Sequence, residues 1–452
     1  MQEQRSCGAE NTAPARPGPG ARLARIPLPR FAALVAALFL LSALACAGAF
    51  LLRGRGQAAA DEETALIAAA APEESPAAPE AETAPEERTP ETARLLSVST
   101  SLGEEQSLLL LDGDYRTDVS LRDMAITVRA EEEIAALYLI WGDYPETWEL
   151  EVEGVRYDEG KNGFLHELVL LESPADSLTI RTPAAGTRLC DLYAYAAGTL
   201  PDEVQQWSCP EEKAELLIFS THADDELVFF GGLIPYYAQV CGKKVQLVYM
   251  TTNYYDEDDY RLRPHEALNG LWTAGARVYP MTNMQPDHLC WSVEEAEKLY
   301  DKEQFLAFQV EQIRRFKPEV IVAQDHNGEY GHGVHQLAVR TLERAVEAAA
   351  DSAQFPESAA EYGVWDTPKT YLHLYGPKEE RTVLNYETPA AVLGWRSPFE
   401  IALLAYEKHE TQQKWDFEVY GYESEYDSHS FGLYRSLVGP DEERRDLFEH
   451  LP

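Results

Sequence analysis

Hydrophobic and polar positions change rhythm several times along the chain. Residues 1–30, rich in Pro, Gly, Ala and Arg, lead into FAALVAALFLLSALACAGAFLL at 31–52, an apolar run without a single charge. Such a run has no polar face, and at about 1.5 Å per residue its length of about 22 residues spans roughly 33 Å. It predicts a transmembrane helix. Arg16, Arg22, Arg25 and Arg30 precede the run and only Arg53 and Arg55 follow it closely. That bias predicts a cytoplasmic segment at 1–30 and a single-pass protein of the cell membrane whose remaining, catalytic part is extracellular. Residues 53–96 are dominated by Ala, Pro and Glu and contain no aromatic residue. They cannot bury enough surface to offset the entropy of ordering, and predict a disordered stalk.

From 97 to 205 the rhythm is alternation with period two. MAITVRA (124–130), AALYLIWG (135–142), TWELEVEG (147–154), HELVLLE (166–172), SLTIRT (177–182) and LCDLYAYA (189–196) are separated by turn residues. Short alternating runs at this spacing predict an antiparallel β-sandwich. From 206 to 452, apolar runs alternate with amphipathic ones. AELLIFST (214–221), KVQLVYMTT (244–252), ARVYPM (276–281), EVIVAQD (319–325) and KTYLHLYG (369–376) read as strands. Helices are predicted at about 264–274, as one long segment over 293–316, and over 335–351. Strand–helix alternation predicts a parallel α/β sheet, in which ligands bind beyond the carboxyl ends of the strands.

Composition narrows the function. Lys plus Arg number 38 against 77 Asp plus Glu, a formal net charge of −39. A phosphate backbone is repelled by so acidic a chain, and nucleic acid is excluded as a partner. A hydrophobic fraction of 45% supports a sizeable core. The six cysteines form no CxxC pair; Cys190 and Cys209 either bridge or stay as free, packed thiols. Gly231–Gly232 after the first α/β strand is not a GxGxxG fingerprint, so a nucleotide phosphate loop has no support.

The chemistry-bearing residues follow two strands. AELLIFST runs into His222, Asp224, Asp225 and Glu226; EVIVAQD runs into His326, Tyr330, His332 and His335. Two such clusters at the ends of parallel strands converge on one spot. A donor set of His, Asp and His suits Zn2+ with a position left for water, and a carboxylate off the metal accepts the water's proton. Read alone, Asp224–Asp225 caps the helix that begins there. With His222 in front and HxxH downstream, the metal reading outweighs capping. His265 and His373 read as surface or satisfied core histidines, and His326 as a turn residue.

THADDE closely resembles the His-x-Asp-Asp-Glu motif of the LmbE-like (PIG-L type) zinc N-deacetylases, and EYGHGVH resembles that family's second motif, ending in His-x-x-His. RPHEALNGLWTAGA (263–276) fits the usual order, and the resemblance covers roughly 212–435. It implies a Rossmann-like fold and hydrolysis of N-acetyl groups on N-acetylglucosamine-type sugars. By position it implies His222, Asp225 and His335 as zinc ligands, Asp224 as general base, and His332 as oxyanion stabiliser or acid for the leaving amine. Tyr330 would assist the tetrahedral intermediate, and Arg263, Glu266 and His409 would shape the sugar pocket. Two positions depart from the family: Ala223 stands where Pro is usual and Val334 where Asp is usual. Neither supplies a ligand, but the missing Asp bears on the tautomer and pKa of His332. LDGDYRTDVSL (111–121), with its neighbouring strands, resembles the galactose-binding-like, discoidin-type sandwiches, in which Trp141, Tyr144, Trp148 and Tyr157 stack on sugars or pack the core.

The expectation is therefore a membrane-anchored, zinc-dependent N-deacetylase of the α/β class, preceded by a β-sandwich, acting on an N-acetylated amino sugar, with a cell-surface glycan as the natural target. The alternatives are a zinc amidase on a non-sugar amide and a degenerate carbohydrate-binding protein.

Overall fold

The structure is a computed structural model in which residues 91–183, 185–252 and 261–451 are described. The predicted membrane run at 31–52 and nearly all of the predicted stalk lie outside these residues. Among the described residues no helix is long and apolar enough to cross a membrane. The expectation of a single-pass membrane protein with an extracellular catalytic part is corrected accordingly and is not carried further.

Seven strands form the first sheet: β1 (Val98–Thr100), β2 (Val119–Leu121), β3 (Ala125–Trp141), β4 (Trp148–Val152), β5 (Val155–Glu159), β6 (His166–Arg181) and β7 (Thr187–Tyr195). All pairings are antiparallel, in the order β2-β7-β3-β6-β4-β5 with β1 added on β3. The pattern at 124–130 and 135–142 predicted two strands, as did that at 166–172 and 177–182. Each pair is instead one long strand, β3 or β6, whose mutual ladder continues through register shifts around Ile134. The first half of β3 lies between β1 and the end of β6; its second half lies between β7 and the start of β6. All seven strands thus belong to one hydrogen-bonded network, joined through the long β3 and β6. Residues from both halves, Ile126 and Val128 with Leu137, Leu139 and Trp141, fill one core. Trp141 and Trp148 are core rather than sugar platforms: both are buried, and both indole N–H groups donate to Oε2 of the buried Glu167, at 2.8 and 3.0 Å.

The second sheet is mixed. It contains β8 (Leu216–Ser220), β9 (Val245–Tyr249), β10 (Met281–Thr282), β11 (Val320–Ala323), β12 (Lys369–His373), β13 (Thr382–Val383) and β14 (Ser430–Ser436). The order is β10-β9-β8-β11-β12-β14-β13; the first five are parallel and β14 runs antiparallel to both β12 and β13. Because side chains alternate, β8 serves two cores: Leu216 and Ile218 face one cluster, Leu217 and Phe219 the other. The long helix predicted over 293–316 is two, Val293–Leu299 and Lys302–Phe316. The break has a local cause: Asp301 caps the second, accepting from the N–H of Glu303 and Gln304. Chain order reverses between β8 and β11, which opens a crevice at their carboxyl ends.

Two polar features tie this framework together. The helix Arg263–Ala274 sends Leu268 into the core of the first sheet. Beside it, His166 of β6 and His265 of the helix are buried with Nε2 and Nδ1 2.9 Å apart, and His166 Nδ1 lies 2.8 Å from Gln205 Oε1. Burial pushes His265 down to about 4 and His166 well below its usual value, so two neutral rings share one hydrogen bond. At the other end, the buried Lys369 ammonium of β12 meets Asp441 Oδ1 at 2.5 Å and the Glu449 carbonyl at 3.0 Å. Asp441 Oδ2 also accepts from Tyr371 (2.6 Å) and Thr382 (3.0 Å), strapping the carboxyl-terminal segment onto the sheet. Cys190 is a free thiol and makes no bridge to Cys209.

Candidate metal centre

The crevice brings both predicted clusters together. His222 and Asp225 follow β8; Asp225 opens the short helix Asp225–Val228. His332 is the residue before the helix Gly333–Ala348, and His335 sits in its first turn. His222 Nδ1, Asp225 Oδ2 and His335 Nε2 form a triangle with edges of 2.9, 3.2 and 3.0 Å. All three residues are buried. Three lone-pair atoms so close repel unless something positive lies among them. A tetrahedral ion with bonds of about 2.0–2.2 Å gives ligand–ligand edges of about 3.3–3.6 Å, slightly wider than this triangle. The donor set therefore fits a zinc-like ion. His332 also offers a nitrogen to the group: His222, His332 and His335 each have one within 4.8 Å of the others.

The capping alternative for the aspartates is decided by their hydrogen bonds. Asp224 stands at the cap position, but its side chain caps nothing. Its Oδ1 faces Arg263 Nη2 at 3.2 Å, and its backbone has φ 137°, a left-handed value rare for a side-chain-bearing residue. Burial raises the Asp224 carboxyl to about 7, against the pull of Arg263. Tyr330 is also left-handed, at φ 46°, and its ring lies 5.5 Å from that of His332 and 5.7 Å from that of His335. Burial and the neighbouring His335 and His222 push His332 down to about 2, and its Nδ1 is buried without a hydrogen-bond partner.

Three polar residues that the sequence reading did not single out surround these groups. Glu329 receives His335 Nδ1 on Oε2 and His373 Nδ1 on Oε1, both at 2.8 Å. Burial acts to raise this carboxyl, but the two histidines bring it down to about 2. A proton held on His335 Nδ1 leaves Nε2 free as a lone pair facing the triangle. Asp287 Oδ1 stands 3.3 Å from His222 Nε2, a charge contact off the line of a good hydrogen bond, and accepts from Tyr300 at 2.8 Å. Gln324, at the end of β11, donates to Asp225 Oδ2 at 2.9 Å. Glu329 was in view as the first letter of EYGHGVH, whereas Asp287 lies in a loop without a motif. Glu329→Gln is expected to weaken metal binding about 10–100-fold, read by competition with a chromophoric chelator.

Of the residues expected to shape a sugar pocket, Arg263 and Glu266 are engaged with protein, whereas both ring nitrogens of His409 are buried without a hydrogen-bond partner. Arg263 is buried and donates to the Ala223 carbonyl and to Asp224. Glu266 accepts from the backbone and hydroxyl of Thr411, at 2.8 and 2.6 Å. His409 is fully buried, with Nε2 4.0 Å from Glu226 Oε1. His265 and His373 are core histidines with partners, and His326 pairs with Glu343 at 2.6 Å.

Comparison with known proteins meets this geometry at the same residues. Residues 217–349, which contain both motifs, match the family model described as PIG-L, GlcNAc-PI de-N-acetylase. A 1D-myo-inositol 2-acetamido-2-deoxy-alpha-D-glucopyranoside deacetylase of Geodermatophilus obscurus is 39% identical over 22% of this chain and 32% of its own length. Its namesake, deacetylase 1 of Catenulispora acidiphila, is 29% identical over 36% of this chain and 56% of its own. The Mycothiol S-conjugate amidase of Streptomyces coelicolor is 31% identical over 28% and 40%. The chain thus spans about a third to about half of these relatives, which are named as deacetylases and an amidase.

Proposed function

We propose that the chain is a zinc-dependent N-deacetylase that hydrolyses the acetamide of an N-acetylated amino sugar of the N-acetylglucosamine type. The observation that carries this reading is the triangle of His222 Nδ1, Asp225 Oδ2 and His335 Nε2 beside the raised carboxyl of Asp224. His222, Asp225 and His335 would hold the Zn2+, which would supply Lewis-acid activation of water and of the acetamide carbonyl. Asp224 takes the proton of the attacking water as the new C–O bond forms at the acetamide carbon. The same proton goes to the amide nitrogen as the C–N bond breaks, releasing acetate and a free amine. His332, kept neutral by burial, donates a hydrogen bond to the oxygen that gains charge, and the neighbouring Tyr330 hydroxyl supports it. In this reading Arg263 orients Asp224 through their direct contact and leaves sugar recognition to residues nearer the mouth of the site.

The test is acetate release by the full chain from N-acetylglucosamine and N,N′-diacetylchitobiose. Release is expected to vanish after dialysis against a chelator and to return with added Zn2+. The amidase among the relatives favours a second reading, cleavage of a different amide by the same residues. Zinc retained at one ion per chain with no acetate release would select it.

A further inference from the structure

The geometry points to Trp291 as a stacking platform for a second saccharide ring, one unit away from the residue that carries the acetamide. The inference rests on the deacetylase reading and adds to it a preference for a disaccharide or longer glycoside.

Trp291 is 63% exposed, and its ring lies 6.2 Å from that of His332 and 6.4 Å from that of Tyr330. A single exposed apolar side chain is ordinary on any protein. Two observations set this one apart. The first is its place, since His332 is in turn 4.9 Å from His222 and 4.7 Å from His335, so the indole rims the metal centre on the side of the two oxyanion donors. The second is the rigidity of its backbone. The Trp291 N–H donates to Glu295 Oε2 at 2.9 Å, and Ser292 caps the helix Val293–Leu299 by accepting from the Glu295 N–H. Cys290 O accepts the Gly333 N–H at 3.0 Å. A Cβ on Gly333 would stand 2.2 Å from the Ser292 carbonyl, so only glycine permits so close a seat. The loop bearing Trp291 is thereby fastened to the first turn of the helix that carries His335, and the same loop holds Asp287 against His222. The backbone that carries the indole is thereby held at a fixed offset from the helix of His335.

An exposed aromatic face on an anchored backbone suits the apolar C–H face of a pyranose, since a rigid ring gives contact area at little entropic cost. The indole touches the metal centre through His332 and Tyr330, the two rings it neighbours. A sugar whose acetamide reaches the triangle therefore meets Trp291 with its neighbouring ring.

The experiment compares kcat and KM of the full chain on N-acetylglucosamine and on N,N′-diacetylchitobiose for wild type, Trp291→Ala and Trp291→Phe. Trp291→Ala is expected to lower kcat/KM on the disaccharide about tenfold, mainly through KM, and to change the monosaccharide by less than about twofold. Trp291→Phe recovers most of the loss, because a ring is restored. An equal loss on both sugars, or no loss on either, overturns the platform. If wild type releases acetate from neither sugar, the deacetylase reading fails, and stacking is then read from tryptophan fluorescence during titration with chitobiose. A change present in wild type and absent in Trp291→Ala upholds the platform; no change in wild type overturns it.

Discussion

Asp224→Asn is expected to lower kcat on an N-acetylated amino sugar about 1,000-fold while leaving the metal content of the protein unchanged. The two halves of this expectation have separate causes. The amide cannot accept the water's proton, and general-base catalysis is typically worth about 100- to 10,000-fold. Asp224 lies outside the triangle of His222, Asp225 and His335, so the ligand set remains complete. Asparagine also tolerates the positive φ of this position better than most residues and keeps an oxygen for Arg263. A fold defect is therefore not expected, and circular dichroism with zinc stoichiometry checks that directly. Loss of less than about tenfold would move the base to another residue.

Asp441→Asn is expected to destabilise the protein by about 3–5 kcal/mol, seen as a lower midpoint in urea unfolding. The Lys369 ammonium is fully buried, and among the described residues its acceptors are Asp441 and the Glu449 carbonyl, so without Asp441 the carbonyl alone faces the charge. Breaking one partner of a buried pair leaves an uncompensated charge, which is far more costly than losing the pair as a whole. The double variant with Lys369→Met is therefore expected to regain part of the loss, since asparagine still accepts from Tyr371 and Thr382. A single-variant loss below about 1 kcal/mol would mean that the ammonium finds another acceptor.

Much of the site was legible because its groups sit in two short strings, THADDE and EYGHGVH, directly after apolar runs that read as strands. Local periodicity and strand-end placement carry that information, and the structure brings His222, Asp224, Asp225, Tyr330, His332 and His335 within one crevice. Asp287 was illegible for the opposite reason: it reaches His222 from a loop whose spacing signals nothing. Arg263, Glu266 and His409 were recognisable as polar residues of interest, but their pairing with Asp224, Thr411 and the surroundings of Glu226 depends on long-range packing. The antiparallel half shows a similar limit. Alternation located its strands, yet whether two runs are one continuous strand depends on an irregular ladder around Ile134 that no period reveals.

The shared burial of Leu268 and the His166–His265 contact bears on how such a protein can be cut or shuffled. A recombination junction near residue 205 looks natural on paper, with sheet on one side and α/β layers on the other. Expressed alone, the later part would present Leu268 and His265 to water on the helix that also holds Arg263. Grafted onto a foreign front module, it would need that module to provide both an apolar seat and a histidine-compatible acceptor. For inheritance and for engineering alike, the smallest transferable unit therefore begins ahead of the first sheet rather than after it.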